Sequence, residues 1–235
     1  MNTKTSLVVI LMVLTSCFLR GQNGYAYYKK RLLNDANKEN VNSKFQKAIK
    51  MLHEQDFILS FNTQNALFKK VDNMSIETNK SFEAYTRALS GFTGQTYFDR
   101  RKKNVIHKKE FLGNFFLINK KKINWTLTKE QLKISSFECY KAVAKETINS
   151  PTGFHEIDLI AWYAPDISLP YGPDGYGGLP GLIICLKNNG RVTTLKKIEL
   201  LNDKELVNIN FILEGKYVTE NEYDKMVIKA FENRF

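Results

Sequence analysis

From Asp56 onward the chain breaks into short runs rich in Phe, Ile, Val, Tyr and Thr, separated by Asn, Gly, Asp and Lys clusters. The runs are "DFILSFNTQ", "ALFKKVD", "TGQTYFDRR", "NVIHKKEFL", "FFLINKKKINWTLT" and "QLKISSFECYKAVAKETI". Their β-branched and aromatic content, bounded by turn residues, predicts successive antiparallel strands. Gly113-Asn114 fits a two-residue hairpin turn between two of them. Upstream, "GYAYYKKRLL" begins the sheet; downstream, "HEIDLIAWYAPDI" adds a strand and "GLIICLKNNGRVTTLKKIELL" a hairpin turning at Asn188-Asn189-Gly190. Two segments carry a helical period instead. Phe45, Ile49 and Leu52 share a face within "NVNSKFQKAIKMLHEQ". Near the C-terminus Thr219 and Glu222 have capping-box spacing ahead of Tyr223, Met226, Val227 and Ala230. The expected fold is β-rich α+β: an antiparallel sheet, curled into a half-barrel, with a helix near the N-terminus and one at the C-terminus. No repeat or low-complexity linker divides the 235 residues, so residues 23–235 read as a single domain.

The first residues, "MNTKTSLVVILMVLTSCFLRGQ", place Lys4 before a short apolar stretch and then small and polar residues. That is the layout of a secretory signal peptide, too short in its apolar part for a permanent span. Two processing routes are open. Cleavage after Gly21 removes residues 1–22 or nearly so, whereas a lipoprotein signal of residues 1–16 leaves Cys17 as the lipidated residue. Either route predicts an exported protein, periplasmic or attached to the envelope. In that oxidising setting Cys139 and Cys185 are disulfide candidates, with two separate buried thiols as the alternative.

All five prolines lie between Pro151 and Pro180, and five of thirteen glycines fall within "YGPDGYGGLPGLIICL". Leu179-Pro180-Gly181-Leu182 has the residues of a type II turn, and Gly172-Pro173-Asp174-Gly175 those of a second tight reversal. The apolar run Leu182, Ile183, Ile184 and Leu186 then suits a strand buried on both faces. The glycines are therefore read as bending main chain into the core.

On these residues the chain resembles the GLPGLI family of exported Bacteroidetes proteins of unknown function. Gly178 to Ile183 spell the motif, and Ala161-Trp162-Tyr163, Pro165-Asp166-Ile167 and Gly172-Pro173 precede it in the family's order. Trp125, Ile134, Cys139, Lys141 and Ala142 extend the likeness, which covers about Phe111 to Leu186. Ser136-Phe137 departs from the Gly-Tyr that usually precedes the cysteine. The resemblance implies an exported β-rich domain whose motif residues, Gly172, Pro173, Gly178, Leu179, Pro180, Gly181, Leu182 and Ile183, serve as structural turn and strand.

Most catalytic chemistries find no support. A GxGxxG loop would need glycine where Pro180 stands, and the segment leads into a strand rather than a helix. His53, His107 and His155 are far apart, without HExxH or Cys/His spacing, so no metal or cofactor is expected. There is no GxSxG elbow. His155, Glu156 and Asp158 form the one acid-base cluster near the motif and read as solvated strand-edge polarity. The formal charge is +11. Nine Lys and Arg residues between Arg100 and Lys122 face a single acid, Glu110, and hairpin geometry would bring Lys108 and Lys109 near Lys120 to Lys122. Such a ridge attracts an anionic envelope surface, while export argues against nucleic acid. The resulting expectation is a non-catalytic binding or interaction module. Its concave aromatic face, with Trp125, Trp162, Tyr163, Tyr171 and Tyr176 as contacts, would hold an apolar ligand, a peptide or an envelope protein. The alternatives are a hydrolase or transferase with dispersed residues such as His155 and Asp158, and an accessory subunit of an outer-membrane transport complex.

Overall fold

The computed structural model describes residues 23–33, 43–71, 80–150, 152–202, 205 and 207–233. The signal segment with Cys17 and its cleavage sites lies outside the described residues. Twelve strands form one sheet: β1 (Asn23–Leu32), β2 (Phe57–Phe61), β3 (Asn65–Lys70), β4 (Gln95–Asp99), β5 (Asn104–Phe111), β6 (Asn114–Asn119), β7 (Thr126–Ile134), β8 (Phe137–Ser150), β9 (Gly153–Ala164), β10 (Leu182–Asn188), β11 (Arg191–Leu201) and β12 (Lys216–Thr219). Their spatial order is β12-β6-β5-β4-β3-β2-β1-β11-β10-β9-β8-β7. Every pairing is antiparallel except that of β12 along β6. Among the described residues three helices accompany the sheet: α1 (Ser43–Glu54), α2 (Lys80–Ser90) and α3 (Glu220–Glu232).

The sheet is open but strongly curled. Helix α3 follows β12 at one end, yet it packs on both β6 and β8, and β8 is next to last at the other end. The long segment from Pro165 to Gly181 fills the hollow so formed. Its 3₁₀ turn, Pro173–Gly175, packs on β3, β4 and β5, and Tyr28 of β1 donates its hydroxyl hydrogen to the Ile183 carbonyl at 2.8 Å. Ile167, Leu169 and Tyr171 join Tyr28, Phe57, Phe68, Phe92 and Phe98 in one buried cluster. A second cluster lies on the opposite face of β8–β10, where Tyr176 and Leu179 meet Leu159, Ala161, Tyr163 and Ile183. The predicted strand buried on both faces is β10. A bulge between Ile183 and Cys185 turns Ile183 and Leu186 to one face and leaves Leu182 and Ile184 on the other.

The glycine-rich segment bends main chain, though not by the expected turn. Gly181 is absent from the left-handed region, which is taken instead by Asp174 (φ 59°), Gly175 (φ 90°) and Gly178 (φ 85°). Gly181 is required for closeness: a Cβ there would lie 2.2 Å from the Ala164 carbonyl oxygen. Amides of the loop and of the strand that follows donate to the loop's own carbonyls. Tyr176 N–H donates to Pro173 O at 3.0 Å, Gly178 N–H to Pro170 O at 2.9 Å and Ile183 N–H to Tyr171 O at 3.0 Å.

Several local expectations shift. The β5–β6 turn is Leu112-Gly113, one residue before the predicted pair, with φ 51° and 77°. The run read as one strand through Cys139 is a hairpin turning at Ser135 (φ 56°) between β7 and β8. Cys139 and Cys185 are both free and buried, which corrects the disulfide expectation. They lie on β8 and β10 with β9 between, and two inter-strand spacings of about 4.8 Å exceed the reach of a disulfide.

Candidate functional site: a polar cavity at the mouth of the curled sheet

A cavity of about 300 Å³ opens where the ends of the sheet approach each other. One wall is β8 beyond its pairing with β7, contributing Glu146 and Thr147. The facing wall is Lys120 and Lys121 with the N-terminal part of α3, where Glu220 and Asp224 stand. Beneath them lie His107 and Lys109 of β5, Asp174 and Tyr176 of the loop, and Asn188 at the end of β10. Strand alternation explains the selection of lysines: Lys109 points into this cavity, whereas Lys108 lies on the other side, its ammonium 4.7 Å from the Phe115 ring centre. The predicted basic ridge is therefore split.

The floor is a buried ion pair. Lys30, 1% exposed, places Nζ 2.6 Å from Asp174 Oδ1 and donates to Ser90 O at 3.2 Å. Phe57 and Phe92 present their rings to the same ammonium, at 4.8 and 5.1 Å from their centres. Burial pushes the Lys30 pKa below the ordinary lysine value, and Asp174 opposes the shift. Asp174 reaches Lys30 because the turn holds it at φ 59°, a conformation that Asp tolerates better than most residues.

His107 is also enclosed. Its Nε2 lies 2.6 Å from Thr93 O, which can only accept, so Nε2 carries the proton and Nδ1 accepts from Thr96 Oγ1 at 3.2 Å. Burial first, then Lys109 and Lys120, hold its pKa well below the usual histidine value, so the ring is neutral.

Tyr176 links the two walls. Its hydroxyl donates to Glu146 Oε2 at 2.5 Å, and Asn188 lines the cavity beside it. Burial, then Glu146, push the phenol well above its ordinary pKa. The Lys120 ammonium lies 5.3 Å from the centre of the Tyr176 ring and 3.2 Å from Glu220 Oε1, and the Lys121 backbone N–H donates to Glu220 Oε2 at 3.0 Å. Lys109 sits over Tyr223 at 5.4 Å from the ring centre. Burial and then Lys120 lower its pKa, while burial raises that of Asp224. The predicted capping box holds α3 in place: Thr219 N–H donates to Glu222 Oε2 at 2.7 Å and Glu222 N–H to Thr219 Oγ1 at 3.2 Å.

Of the five aromatic residues expected as ligand contacts, only Tyr176 lines this cavity. Tyr171 and Tyr163 are buried in the two cores, Trp162 packs on the first, and Trp125 packs on the second while donating its indole N–H to Gly177 O at 3.0 Å. The concave aromatic face is thus filled by the chain's own loop, which corrects its reading as an open apolar groove. His155 and Asp158 are exposed on β9 and do not line the cavity; His155 instead meets Thr152 Oγ1 at 2.8 Å. Lys30, Asp174, Glu146 and Asn188 were missed as a group. The strand-like "GYAYYKKRLL" carries three consecutive charged residues, Lys29, Lys30 and Arg31, and nothing in it singles out Lys30 or reveals its partner 144 residues away. Among the described residues no cluster of His, Cys, Asp and Glu is arranged to hold a metal ion, and no helix is long and apolar enough to cross a membrane.

A family model matches residues 145–185, from the middle of β8 through β9 and the loop into β10. It is the Porph_ging model, described as a protein of unknown function. The matched stretch lies almost wholly within the region that carries the GLPGLI resemblance. No curated protein matches the chain. Two solved structures of PNGF-II, in C2 and P21 space groups, each align with a TM-score of 0.53 at 17% identity over 89% of this chain. The alignments cover 33% and 34% of the PNGF-II chains, so this chain spans about a third of their length. At that identity the likeness shows a shared fold. The residues matched by the Porph_ging model include Glu146, Asp174 and Tyr176 of the cavity.

Proposed function

We propose that this chain is an exported, non-catalytic binding module of the cell envelope whose ligand site is the polar cavity between β8 and α3. The observation that carries this reading is the Tyr176–Glu146 hydrogen bond across the cavity, with Asn188 beside it, which presents polar groups fixed in direction around a space of about 300 Å³. At roughly 30 Å³ per water, that space is worth about ten waters, enough for a small polar molecule. Lys120 is paired with Glu220, Arg191 is bonded to backbone carbonyls, and His107 is locked by Thr93 and Thr96 rather than facing a nucleophile. The sequence layout of residues 1–22 supports export, and the net charge of +11 supports residence beside anionic surfaces.

Thr147 is exposed on the rim, so Thr147→Trp should obstruct the cavity without disturbing a core. Saturation-transfer NMR with a panel of small polar probes should show binding to the wild type and its loss in this variant. Binding unchanged by Thr147→Trp would place the ligand elsewhere and overturn the reading.

A further inference from the structure

Among the groups on the cavity walls without a hydrogen-bonded or ion-paired partner, two have opposite hydrogen-bonding sense. The Lys109 ammonium lies over the Tyr223 ring, and among the described residues it has neither a hydrogen-bonded nor an ion-paired acceptor. Lys120, close enough to repel it, is already paired with Glu220. The second group is Asn188 Oδ1, a buried atom with no donor. The neighbouring Tyr176 hydroxyl already donates to Glu146, so it does not serve Asn188 Oδ1, and that acceptor is left over. A buried acceptor without a donor and a cation without an acceptor both carry a desolvation cost that a complementary ligand removes.

We propose that the cavity takes a small carboxylate that also carries hydroxyl or amino groups, its anionic end held at Lys109 and one of its donors at Asn188 Oδ1. The acids on the walls set the charge limit. Glu146, Glu220 and Asp224 share the cavity with Lys109, Lys120, Lys121 and Arg191, so one negative charge finds a cationic corner, whereas a polyanion would meet carboxylates on both walls. Glu146 accepts from Tyr176 through Oε2, and the remaining lone pairs of the carboxylates are further acceptors for hydroxyl or amino hydrogens. An unsubstituted fatty acid would leave these acceptors dry, and a neutral polyol would leave Lys109 unmatched.

This inference rests on the cavity reading above, and three probes of equal carbon number separate the two. Gluconate offers charge and hydroxyls, sorbitol hydroxyls alone, and hexanoate charge alone. Isothermal titration calorimetry on the wild-type protein should rank gluconate tightest by about tenfold or more, the worth of one charge-assisted hydrogen bond. Lys109→Met should bring gluconate down to the level of sorbitol and leave sorbitol unchanged. Asn188→Leu should weaken gluconate and sorbitol but not hexanoate. The wild-type ranking needs no variant, so it tests the proposal even if a substitution impairs folding. Equal affinity for gluconate and sorbitol in the wild type, or gluconate binding indifferent to Lys109→Met in a folded variant, would overturn the proposal. Sorbitol binding that Thr147→Trp abolishes would then leave the cavity reading standing. Failure of every probe to bind would overturn the proposal, and with no polar probe of the broader panel bound either, the cavity reading falls too.

Discussion

Asp174→Asn tests how the loop is held in the sheet. The substitution keeps a residue that tolerates φ 59° and keeps the shape of the side chain, so it removes charge and little else. In the wild type the Lys30 ammonium is 1% exposed and lies 2.6 Å from the carboxylate, which is itself 9% exposed. Without that carboxylate the ammonium retains Ser90 O at 3.2 Å and two aromatic faces, but no counter-charge in contact. Removing one partner of a buried pair costs about 3–5 kcal/mol, because the remaining charge is stranded away from water. For a domain of this size 1 kcal/mol corresponds to roughly 2–4 °C, so the melting temperature should fall by about 6–20 °C. Urea unfolding followed by circular dichroism measures the free energy directly. The companion Lys30→Met/Asp174→Asn should recover most of the loss, since it strands no charge and keeps at 174 a residue that tolerates φ 59°. A cost below about 1 kcal/mol for Asp174→Asn would refute the argument, because a solvent-exposed pair is worth no more than that.

The neutral, enclosed His107 gives a pH dependence of known sign. Its folded pKa lies well below 6.5, so as pH falls below about 6.5 the unfolded chain takes up a proton that the folded chain refuses, and stability drops. Between pH 6.5 and 5 the loss from this group reaches up to about 2 kcal/mol, and urea titrations should show that slope diminished in His107→Gln. Gly181→Ala places a methyl 2.2 Å from a backbone oxygen, whereas Gly178→Ala meets open space and only the strain of φ 85°. Thermal unfolding should show Gly178→Ala costing about 1–2 kcal/mol and Gly181→Ala clearly more; equal costs would contradict the close approach of loop and strand. At the β5–β6 turn Leu112 is 62% exposed at φ 51°, so Leu112→Asn should stabilise by about 0.5–1 kcal/mol in the same assay.

Helix α2 shows where a sequence pattern runs out. Among its described residues the buried positions are the polar Thr86 and Ser90, while Tyr85 is exposed. Ser90 instead stays inside because its hydroxyl accepts the Phe92 N–H at 3.2 Å and lies 2.8 Å from Arg87 O. Strand β12 was hidden for another reason: it is four residues long and pairs in parallel with a strand about a hundred residues earlier.

Local chemistry was enough for most strands, the Asn189-Gly190 turn, the Thr219–Glu222 cap and the two-faced burial of β10. Each depends on a few neighbouring residues whose backbone preferences and side-chain spacing act within one element. Three features needed the tertiary structure. These are the order of twelve strands, the folding of the proline-rich segment into the hollow, and the meeting of Lys30 with Asp174 or Asn188 with Tyr176 and Glu146. Contacts between residues far apart in the chain depend on how the sheet curls, and curl is a collective outcome of twist, bulges and core volume that no short stretch encodes.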